Sequence, residues 1–136
     1  MNPVIVDTDF LVALFEPSDR YGARAAAYLR DHRHALVTVS AVVVEACLFL
    51  SPQQKRNLLG WIRNGGMAVA DVPVEGYAQL ELTLLKYADR EVDFADAALI
   101  WLANQGAARK ILTVDRTDFG VFRLKGGRRF ELVNWM

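Results

Sequence analysis

The sequence predicts an α/β protein in which a parallel β-sheet of about five strands is sandwiched by helices. Short apolar runs, most of them rich in β-branched residues, alternate along the chain with segments of helical periodicity. Most of these runs lack a polar/apolar alternation, which is typical of strands covered on both faces. A chain of 136 residues suits one core, and no linker, repeat or low-complexity tract divides it. We therefore predict a single domain over residues 1–136.

The first predicted strand is Val4-Ile5-Val6, which delivers Asp7 at its carboxyl end. Thr8 or Asp9 can cap the helix that Phe10 begins. Ligands of open α/β sheets bind outside the carboxyl ends of the strands, so Asp7 lies where chemistry is expected. The further strands, each an apolar run between turn or helical segments, are predicted at 35–39, 67–72, 110–114 and 130–133.

Capping signals predict where the next helices begin. Ser18 is expected to cap a second helix that ends near residue 33, Ser40 to open a third, and Ser51-Pro52 to cap and start a fourth. The sequence 64–66 (Asn-Gly-Gly) ends the fourth helix. Its buried stripe is predicted to be Leu58, Leu59 and Ile62.

Two more helices are predicted in the second half of the chain. An amphipathic helix spans about 74–88, and another spans 94–105 and ends at Gly106, which suits a left-handed cap. The buried face of the first of them is predicted to be Tyr77, Leu80, Leu84 and Ala88.

The composition indicates a globular protein. Apolar residues make up 53% of the chain and charged residues 24%, which excludes a disordered chain. No apolar run is long enough to cross a bilayer, and the single Cys47 is expected to be a small buried hydrophobe. We therefore expect a soluble protein of a reducing compartment, the cytoplasm. His32 and His34 lie in a polar segment and are expected at the surface, so a zinc site is not indicated.

The net charge is zero, from 16 basic and 16 acidic residues, so bulk electrostatics neither favour nor exclude nucleic acid. The segment 109–129 is locally basic, with seven Lys or Arg and two Asp. It can hold phosphates or be an ordinary solvated face, and both interpretations stay open at this point.

Four acids stand in apolar sequence. Asp7 and Asp115 each follow a predicted strand, while Glu45 and Asp96 lie within apolar helical segments. Removing an ionised carboxylate from water costs several kcal/mol unless a partner compensates it. No Lys or Arg lies between His34 and Lys55, so Glu45 has no local partner.

Neighbouring acids have simpler explanations. Asp93 is predicted to be the N-cap of the helix that begins at Phe94, and Asp118 fits a turn. Asp96 alone could be a first-turn acid that the helix dipole favours. The four embedded acids, however, need a common explanation, because in a parallel sheet they meet at one edge. Clustered carboxylates are usually neutralised by a hard divalent cation, Mg²⁺ or Mn²⁺.

With these acids the sequence resembles the PIN-domain ribonucleases, and most closely the VapC-type toxins of bacterial toxin–antitoxin pairs. The resemblance covers nearly the whole chain. It comprises Val-Asp-Thr-Asp at 6–9, Ser40-Ala41 with Glu45, 93–97 (Asp-Phe-Ala-Asp-Ala), and 112–115 (Leu-Thr-Val-Asp) followed by Asp118-Phe119. Asp9 departs from the family, which more often has a small residue there, and we expect it to cap the helix.

The resemblance implies a PIN-like fold and metal-dependent hydrolysis of RNA phosphodiester bonds by an endoribonuclease toxin. Asp7 and Asp96 would be the main metal ligands, and Glu45 and Asp115 would complete the acidic pocket. Thr8, Thr113, Asp93 and Asp118 would be supporting residues. The cofactor would be Mg²⁺, with Mn²⁺ as an alternative, and the basic segment would contact RNA phosphates through Arg116, Arg123 and Lys125.

The resemblance also implies a homodimer silenced by a small antitoxin that docks on an apolar groove. The aromatic residues that could line this groove, each of which could equally belong to the core, are Phe10, Phe15, Phe49 and Trp61.

Two other functions remain open. Asp7-Thr8-Asp9 matches the opening motif of haloacid-dehalogenase phosphatases, in which Asp7 would be a covalent nucleophile. That chemistry leaves Glu45 unexplained. The chain could also be a non-catalytic module that binds RNA or a partner and keeps the acidic pocket only for folding or binding.

Overall fold

The computed structural model describes residues 3–106 and 108–136. Within them, five parallel strands form one sheet in the order β3-β2-β1-β4-β5. The strands are β1 (Val4–Val6), β2 (Leu36–Val39), β3 (Ala68–Ala70), β4 (Lys110–Leu112) and β5 (Glu131–Leu132). All five predicted strands are confirmed, with shorter bounds at most of them.

Seven α-helices flank the sheet in the described part of the chain. They are α1 (Thr8–Phe15), α2 (Gly22–Asp31), α3 (Ser40–Cys47), α4 (Pro52–Arg63), α5 (Tyr77–Lys86), α6 (Phe94–Asn104) and α7 (Arg116–Val121). Short 3₁₀ turns at Val74–Gly76 and Lys125–Gly127 complete the described secondary structure. The prediction of a parallel α/β fold is confirmed.

The central strand β1 shows why the sheet needs helices on both faces. Its residues Val4, Ile5 and Val6 are each at most 1% exposed, although neighbouring side chains of a strand point to opposite faces. β1 pairs with β2 on one side and with β4 on the other. Around it, the core is dominated by aliphatic residues and by aromatic residues such as Phe10, Phe119 and Phe122.

The strand order creates a switch point between β1 and β4. The chain leaves β1 toward β2 and β3, whereas it leaves β4 in the opposite direction, toward β5. Connections that diverge in this way leave a crevice beyond the carboxyl ends of the two strands. Asp7 follows β1 directly, and Thr113 to Asp115 follow β4. The fold therefore brings these two segments together.

Several predicted helix faces are wrong in detail. Leu59 is 51% exposed, and of the predicted α5 face only Leu80 is buried, whereas Tyr77, Leu84 and Ala88 are exposed. Helical spacing identifies which residues share a face, but it does not show whether another element covers that face. Cys47 is half-buried. His32 is exposed and His34 partly so, which agrees with the surface position expected for them.

One of the two serines predicted to cap a helix does so, and the other does not. Ser51 accepts the backbone N–H of Gln54, and the Gln54 side chain in turn accepts the Ser51 N–H, a complete capping box. Ser18, in contrast, does not cap α2, because its N–H and hydroxyl both donate to Glu16 and the helix begins four residues later at Gly22. No helix in the described part combines the length and apolar character that a membrane span requires.

This contrast gives a matched stability test. Ser51→Ala should lower the free energy of unfolding by about 1 kcal/mol, because it removes the acceptor for an N–H at the start of α4. Ser18→Ala should change it by less than about 0.5 kcal/mol, since its bonds lie in an exposed turn. Urea unfolding followed by circular dichroism measures both values, and equal losses would contradict the capping assignment.

Candidate active site

A cavity of about 470 Å³ opens at the carboxyl edge of the sheet. Its position is the switch point between β1 and β4, where Asp7 and Asp115 emerge. Glu45 reaches it from α3, which begins directly after β2, and Asp96 from the first turn of α6. The full lining consists of Asp7, Thr8, Asp9, Val12, Asp19, Arg20, Tyr21, Glu45, Phe49, Asp93, Asp96, Val114 and Asp115.

Asp7 is the most tightly held of these carboxylates. It is 7% exposed, and its Oδ1 accepts the Thr8 N–H at 2.8 Å as the N-cap of α1. Its Oδ2 accepts the hydroxyl of Thr113 at 2.8 Å, and Thr113 itself is 1% exposed. The expectation that Thr8 or Asp9 caps α1 is therefore wrong, because Asp7 occupies the cap position itself.

Asp9 connects α1 to the end of β4 instead. Its Oδ2 accepts the backbone N–H of Val114 at 3.0 Å and lies 3.4 Å from the Thr113 hydroxyl. Because that hydroxyl has one proton and Asp7 is nearer, the bond to Val114 is the main one. The other oxygen of Asp9, Oδ1, is buried without a hydrogen-bond partner among the described residues.

The segment after β4 is ordered by Thr113. The Thr113 hydroxyl oxygen accepts the Asp115 N–H at 2.9 Å, and Asp115 then caps α7 by accepting the Asp118 N–H at 3.0 Å. The Thr113 carbonyl accepts the indole N–H of Trp135 at 3.2 Å. Asp118 does not line the cavity, and its carboxylate pairs with Arg90 at 2.7 Å.

Asp93 and Asp96 line the cavity from the start of α6. Asp93 is the N-cap of α6, as predicted, and accepts the Asp96 N–H at 2.9 Å. The Asp96 carboxylate in turn accepts the Asp93 N–H at 3.4 Å, which completes a capping box. The interpretation of Asp96 as a first-turn acid and its place in the cavity are therefore both correct.

Glu45 is only half-buried. The apolar residues near it include Val44 on α3 and, directly after this helix, Leu48 and Phe49, which are all exposed, Phe49 by 66%. Among the residues expected to line an apolar groove, Phe10 is fully buried and belongs to the core, while Phe15 and Trp61 are partly buried and pack at 5.5 Å between ring centroids.

Crowding and burial raise the pKa of several of these carboxyls. Burial, and then the charge of Asp9, raise the pKa of Asp7 well above its usual range, partly opposed by the bonds from Thr113 and Thr8. Burial and the charge of Asp93 raise the pKa of Asp96 to about 7. Desolvation also raises the pKa of Asp9 and of Asp115.

The pKa of Glu45 is raised in the same way, by burial and then by Asp93 and Asp9. The Thr8 hydroxyl opposes this shift because it lies close to Glu45, although its buried oxygen makes no hydrogen bond of ordinary geometry among the described residues. Each of these shifts favours the neutral carboxyl, because burial disfavours the charged form and neighbouring acids add to the effect.

The donor set fits a hard divalent cation. Carboxylate and hydroxyl oxygens line the cavity, and the unpartnered Oδ1 of Asp9 and Oγ1 of Thr8 are oxygen atoms as well. No three His, Cys, Asp or Glu side chains of the described residues are arranged to enclose an ion by themselves. Mg²⁺ is usually held by one or two carboxylates together with water and substrate phosphate, so an open arrangement suits it.

The sequence did not indicate the wall formed by Asp19, Arg20 and Tyr21. These residues precede α2, and the position expected for Ser18 as its cap would have placed them inside the helix. The predicted phosphate contacts lie elsewhere: Arg116, Arg123 and Lys125 do not line the cavity. The Arg123 guanidinium donates to the Val121 carbonyl at 2.6 Å, and Arg116 donates to the Val133 carbonyl at 3.3 Å.

The pKa of Asp96 predicts how the stability of the metal-free protein depends on pH. Its pKa rises from 3.8 to about 7 on folding, so between these values the folded state holds a proton that the unfolded state has released. The free energy of unfolding should therefore fall as pH rises through this interval and level off above it. Melting temperatures in chelator between about pH 5 and pH 8 measure the fall.

Asp96→Asn should reduce this pH-dependent loss of stability, because an amide does not titrate. Asp89→Asn, which changes an exposed acid outside the cavity, should leave it unchanged. If the melting temperature fell equally steeply with pH in the wild type and in both variants, Asp96 would not be the cause.

The bond from Val114 to Asp9 predicts a local change in dynamics. Asp9→Ala removes the acceptor of the Val114 N–H, so hydrogen exchange at this amide should become about tenfold faster or more. Asp9→Asn keeps an oxygen acceptor and should leave the exchange close to that of the wild type. Exchange measured by NMR distinguishes the two variants, and equal protection in both would refute this role of Asp9.

Comparison with known proteins agrees with the fold. The chain is 28% identical over 134 residues to Ribonuclease VapC26 of Mycobacterium tuberculosis, an alignment that covers 96% of this chain and 99% of the relative. Its fold matches the crystal structure of VapC20 of Mycobacterium tuberculosis, a sarcin-ricin loop cleaving toxin, with a TM-score of 0.71. That match covers 84% of this chain and 91% of the other at 20% identity.

The match to a family model covers most of the chain. The sequence model of the PIN domain matches residues 4–122, which include both strands of the switch point and every acid that lines the cavity. Together with the similarity to VapC26 and VapC20, this match confirms the expected resemblance to PIN-domain proteins of the VapC type. This chain belongs to the PIN domain family.

Proposed function

We propose that this protein is a metal-dependent endoribonuclease that acts as the toxin of a toxin–antitoxin pair. The observation that carries the proposal is the cavity at the switch point, where seven carboxylates meet with one basic side chain among the described residues. Membership of the PIN domain family and the similarity to a relative named a ribonuclease support the same activity.

Asp7 and Asp96 are the proposed cation ligands. They line the same cavity, at the end of β1 and at the start of α6. Burial is the main cause of the raised pKa of Asp7, and the charge of Asp96 adds to it. Thr113 and Thr8 fix the orientation of Asp7 through the two bonds at 2.8 Å. Glu45 and Asp115 complete the acidic pocket, with Asp93 supporting Asp96 through the capping box.

A Mg²⁺ or Mn²⁺ ion bound there supplies the charge that activates water and neutralises the phosphate oxygens. The protein supplies orientation and proton acceptors. Glu45 and Asp115 have raised pKa values, so as carboxylates they are stronger bases than usual and suited to accept a proton from the attacking water. The buried Thr113 keeps Asp7 from turning away as the substrate phosphate enters.

The proposal includes partners and location. A small antitoxin would silence the enzyme by covering the cavity. Phe49, which lines the cavity just after the end of α3, and its neighbour Leu48 are both exposed and offer an apolar surface for such a partner. We further propose a single domain, a homodimer and a cytoplasmic location, as expected from the resemblance.

A phosphatase that uses Asp7 as a nucleophile is not favoured. In that chemistry Asp9 would be the mobile acid, but its Oδ2 is fixed on the Val114 N–H and its other oxygen is buried. The test is whether the wild-type protein forms an acyl-phosphate with small phosphate monoesters. We expect no acyl-phosphate and no turnover of these substrates.

The central prediction concerns RNA cleavage. Wild-type protein incubated with total RNA and magnesium should give endonucleolytic products, and chelator should abolish them. Asp7→Asn or Asp96→Asn should lower the rate by about a hundredfold or more, because each removes a ligand that positions the cation. Product ends mapped by primer extension measure the effect.

Asp89→Asn is the matched control, since it removes the same charge at an exposed position outside the cavity. It should cleave as the wild type does. Equal activity of Asp96→Asn and wild type would refute the proposed site, and RNA binding without any cleavage would identify a non-catalytic module instead.

A further inference from the structure

One wall of the cavity differs from the rest in charge. Seven of the lining residues are acidic: Asp7, Asp9, Asp19, Glu45, Asp93, Asp96 and Asp115. Among the described residues that line the cavity, Arg20 is the one basic residue. A polyanion that enters the cavity meets repulsion on most sides, so a cation within the lining has a large influence on where the chain of phosphates lies.

Arg20 is available for a ligand. It is exposed, and its guanidinium forms no ion pair with any acid in the described part of the chain. Arg90, in comparison, is committed to Asp118 at 2.7 Å. The guanidinium carbon of Arg20 lies 4.9 Å from the centroid of the Tyr21 ring, a cation–π arrangement that leaves its N–H groups free to donate.

The turn that carries Arg20 is ordered by its own hydrogen bonds. The Asp19 N–H donates to the Glu16 carbonyl at 3.0 Å, and the Asp19 carboxylate accepts the Tyr21 N–H at 2.8 Å. Asp19 is thus engaged with the backbone of the turn rather than with the guanidinium. The position of Arg20 at the rim is therefore set by the local fold.

Tyr21 is supported from beneath by the aromatic core. Its ring meets the edge of Trp135 at 5.9 Å between centroids, and Trp135 packs on Phe10 at 4.8 Å. Trp135 also donates its indole N–H to the carbonyl of Thr113, the residue that holds Asp7. A half-buried ring fixed in this way beside the cavity can present an aromatic surface without losing much entropy on binding.

We propose that Arg20 and Tyr21 form a substrate clamp for single-stranded RNA, an inference that rests on the proposed function. Arg20 turns off the Tyr21 ring to bind a phosphate next to the scissile one, and the ring face that it uncovers stacks on an unpaired base of the same strand. Guanidinium groups bind phosphate with planar, charge-assisted hydrogen bonds, and aromatic rings stack on bases whose partner strand is absent. A base-paired RNA offers no such free face, so the clamp selects single strands.

Binding measurements test the clamp separately from catalysis. The probe is a fluorescein-labelled single-stranded RNA of about 12 nucleotides with random sequence. This RNA is titrated in magnesium with the Asp96→Asn protein, the parent in which cleavage is suppressed. The double variant Arg20→Ala with Asp96→Asn should have a Kd about tenfold higher than that of the parent. The slope of its log Kd against log salt should be lower by about 0.7, as expected when one phosphate contact is lost.

Arg20→Lys keeps the charge but loses the planar donor group, so it should preserve the salt slope and recover only part of the affinity. Arg30→Ala is the matched control, because it removes one positive charge from an exposed position on α2 outside the cavity. It should leave both Kd and the slope unchanged.

The stacking half is tested with Tyr21→Phe and Tyr21→Leu. Phe keeps the ring and should bind as the parent does, while Leu should weaken binding to the single strand about fivefold or more and leave binding to the matching duplex unchanged. A melting temperature close to that of the parent shows that the packing on Trp135 survives. If Tyr21→Leu unfolds, the Arg20 variants still decide whether the clamp stands.

The outcomes separate the two proposals. If wild-type protein cleaves RNA while Arg20→Ala keeps the parent's Kd and salt slope, the clamp is refuted and the nuclease stands. If no RNA is cut and Arg20→Ala still weakens binding, the clamp stands and the nuclease fails. Failure of the parent protein to bind the probe, or equal affinity for the single strand and the duplex, overturns the clamp.

Discussion

The hydrogen bond from Thr113 to Asp7 is the interaction on which the site depends. It joins the ends of β1 and β4 at the point where the sheet's connections diverge. Both groups are buried, and a hydrogen bond in such a low-dielectric environment is electrostatically stronger than in water. The same threonine orders the turn that carries Asp115 and receives the indole of Trp135. One residue thus connects the acids of two strands to the aromatic core.

The carboxylates of the site are stabilised by hydrogen bonds but still repel each other. Backbone N–H groups and hydroxyls compensate Asp7, Asp9 and Asp93 one by one, but they do not cancel the repulsion between neighbouring carboxylates. The raised pKa values of Asp7 and Asp96 reflect burial first and then this repulsion. At the carboxyl edge of its central strands the fold therefore holds buried carboxylates that the protein's own donors compensate only in part.

The parts of this structure that depend on local rules could be predicted from the sequence. The strand before Asp7, the cap at Asp93 and the box at Ser51 follow from residues within a few positions of each other. The convergence of distant acids at one edge followed from the parallel sheet. These predictions use short-range geometry or a general property of the fold class.

Other features depend on long-range contacts and could not be predicted. Asp9 has a good local reason to cap α1, but Asp7 takes that position, and Asp9 instead bonds to Val114, 105 residues away. Arg20 and Tyr21 reach the cavity because Tyr21 rests on Trp135, a contact that no local pattern indicates. Leu59 shares a helical face with the buried Leu58 stripe by spacing, yet it is 51% exposed, because local spacing does not determine what packs on it.

The support from Trp135 has a consequence for the order in which the protein is made. The bond that holds Asp7 comes from a residue 106 positions later, and the indole behind that residue lies a further 22 positions along the chain. During synthesis, β1 leaves the ribosome long before these partners exist. The acidic centre is therefore assembled only after residue 135 has emerged, so a partly translated chain lacks a finished centre.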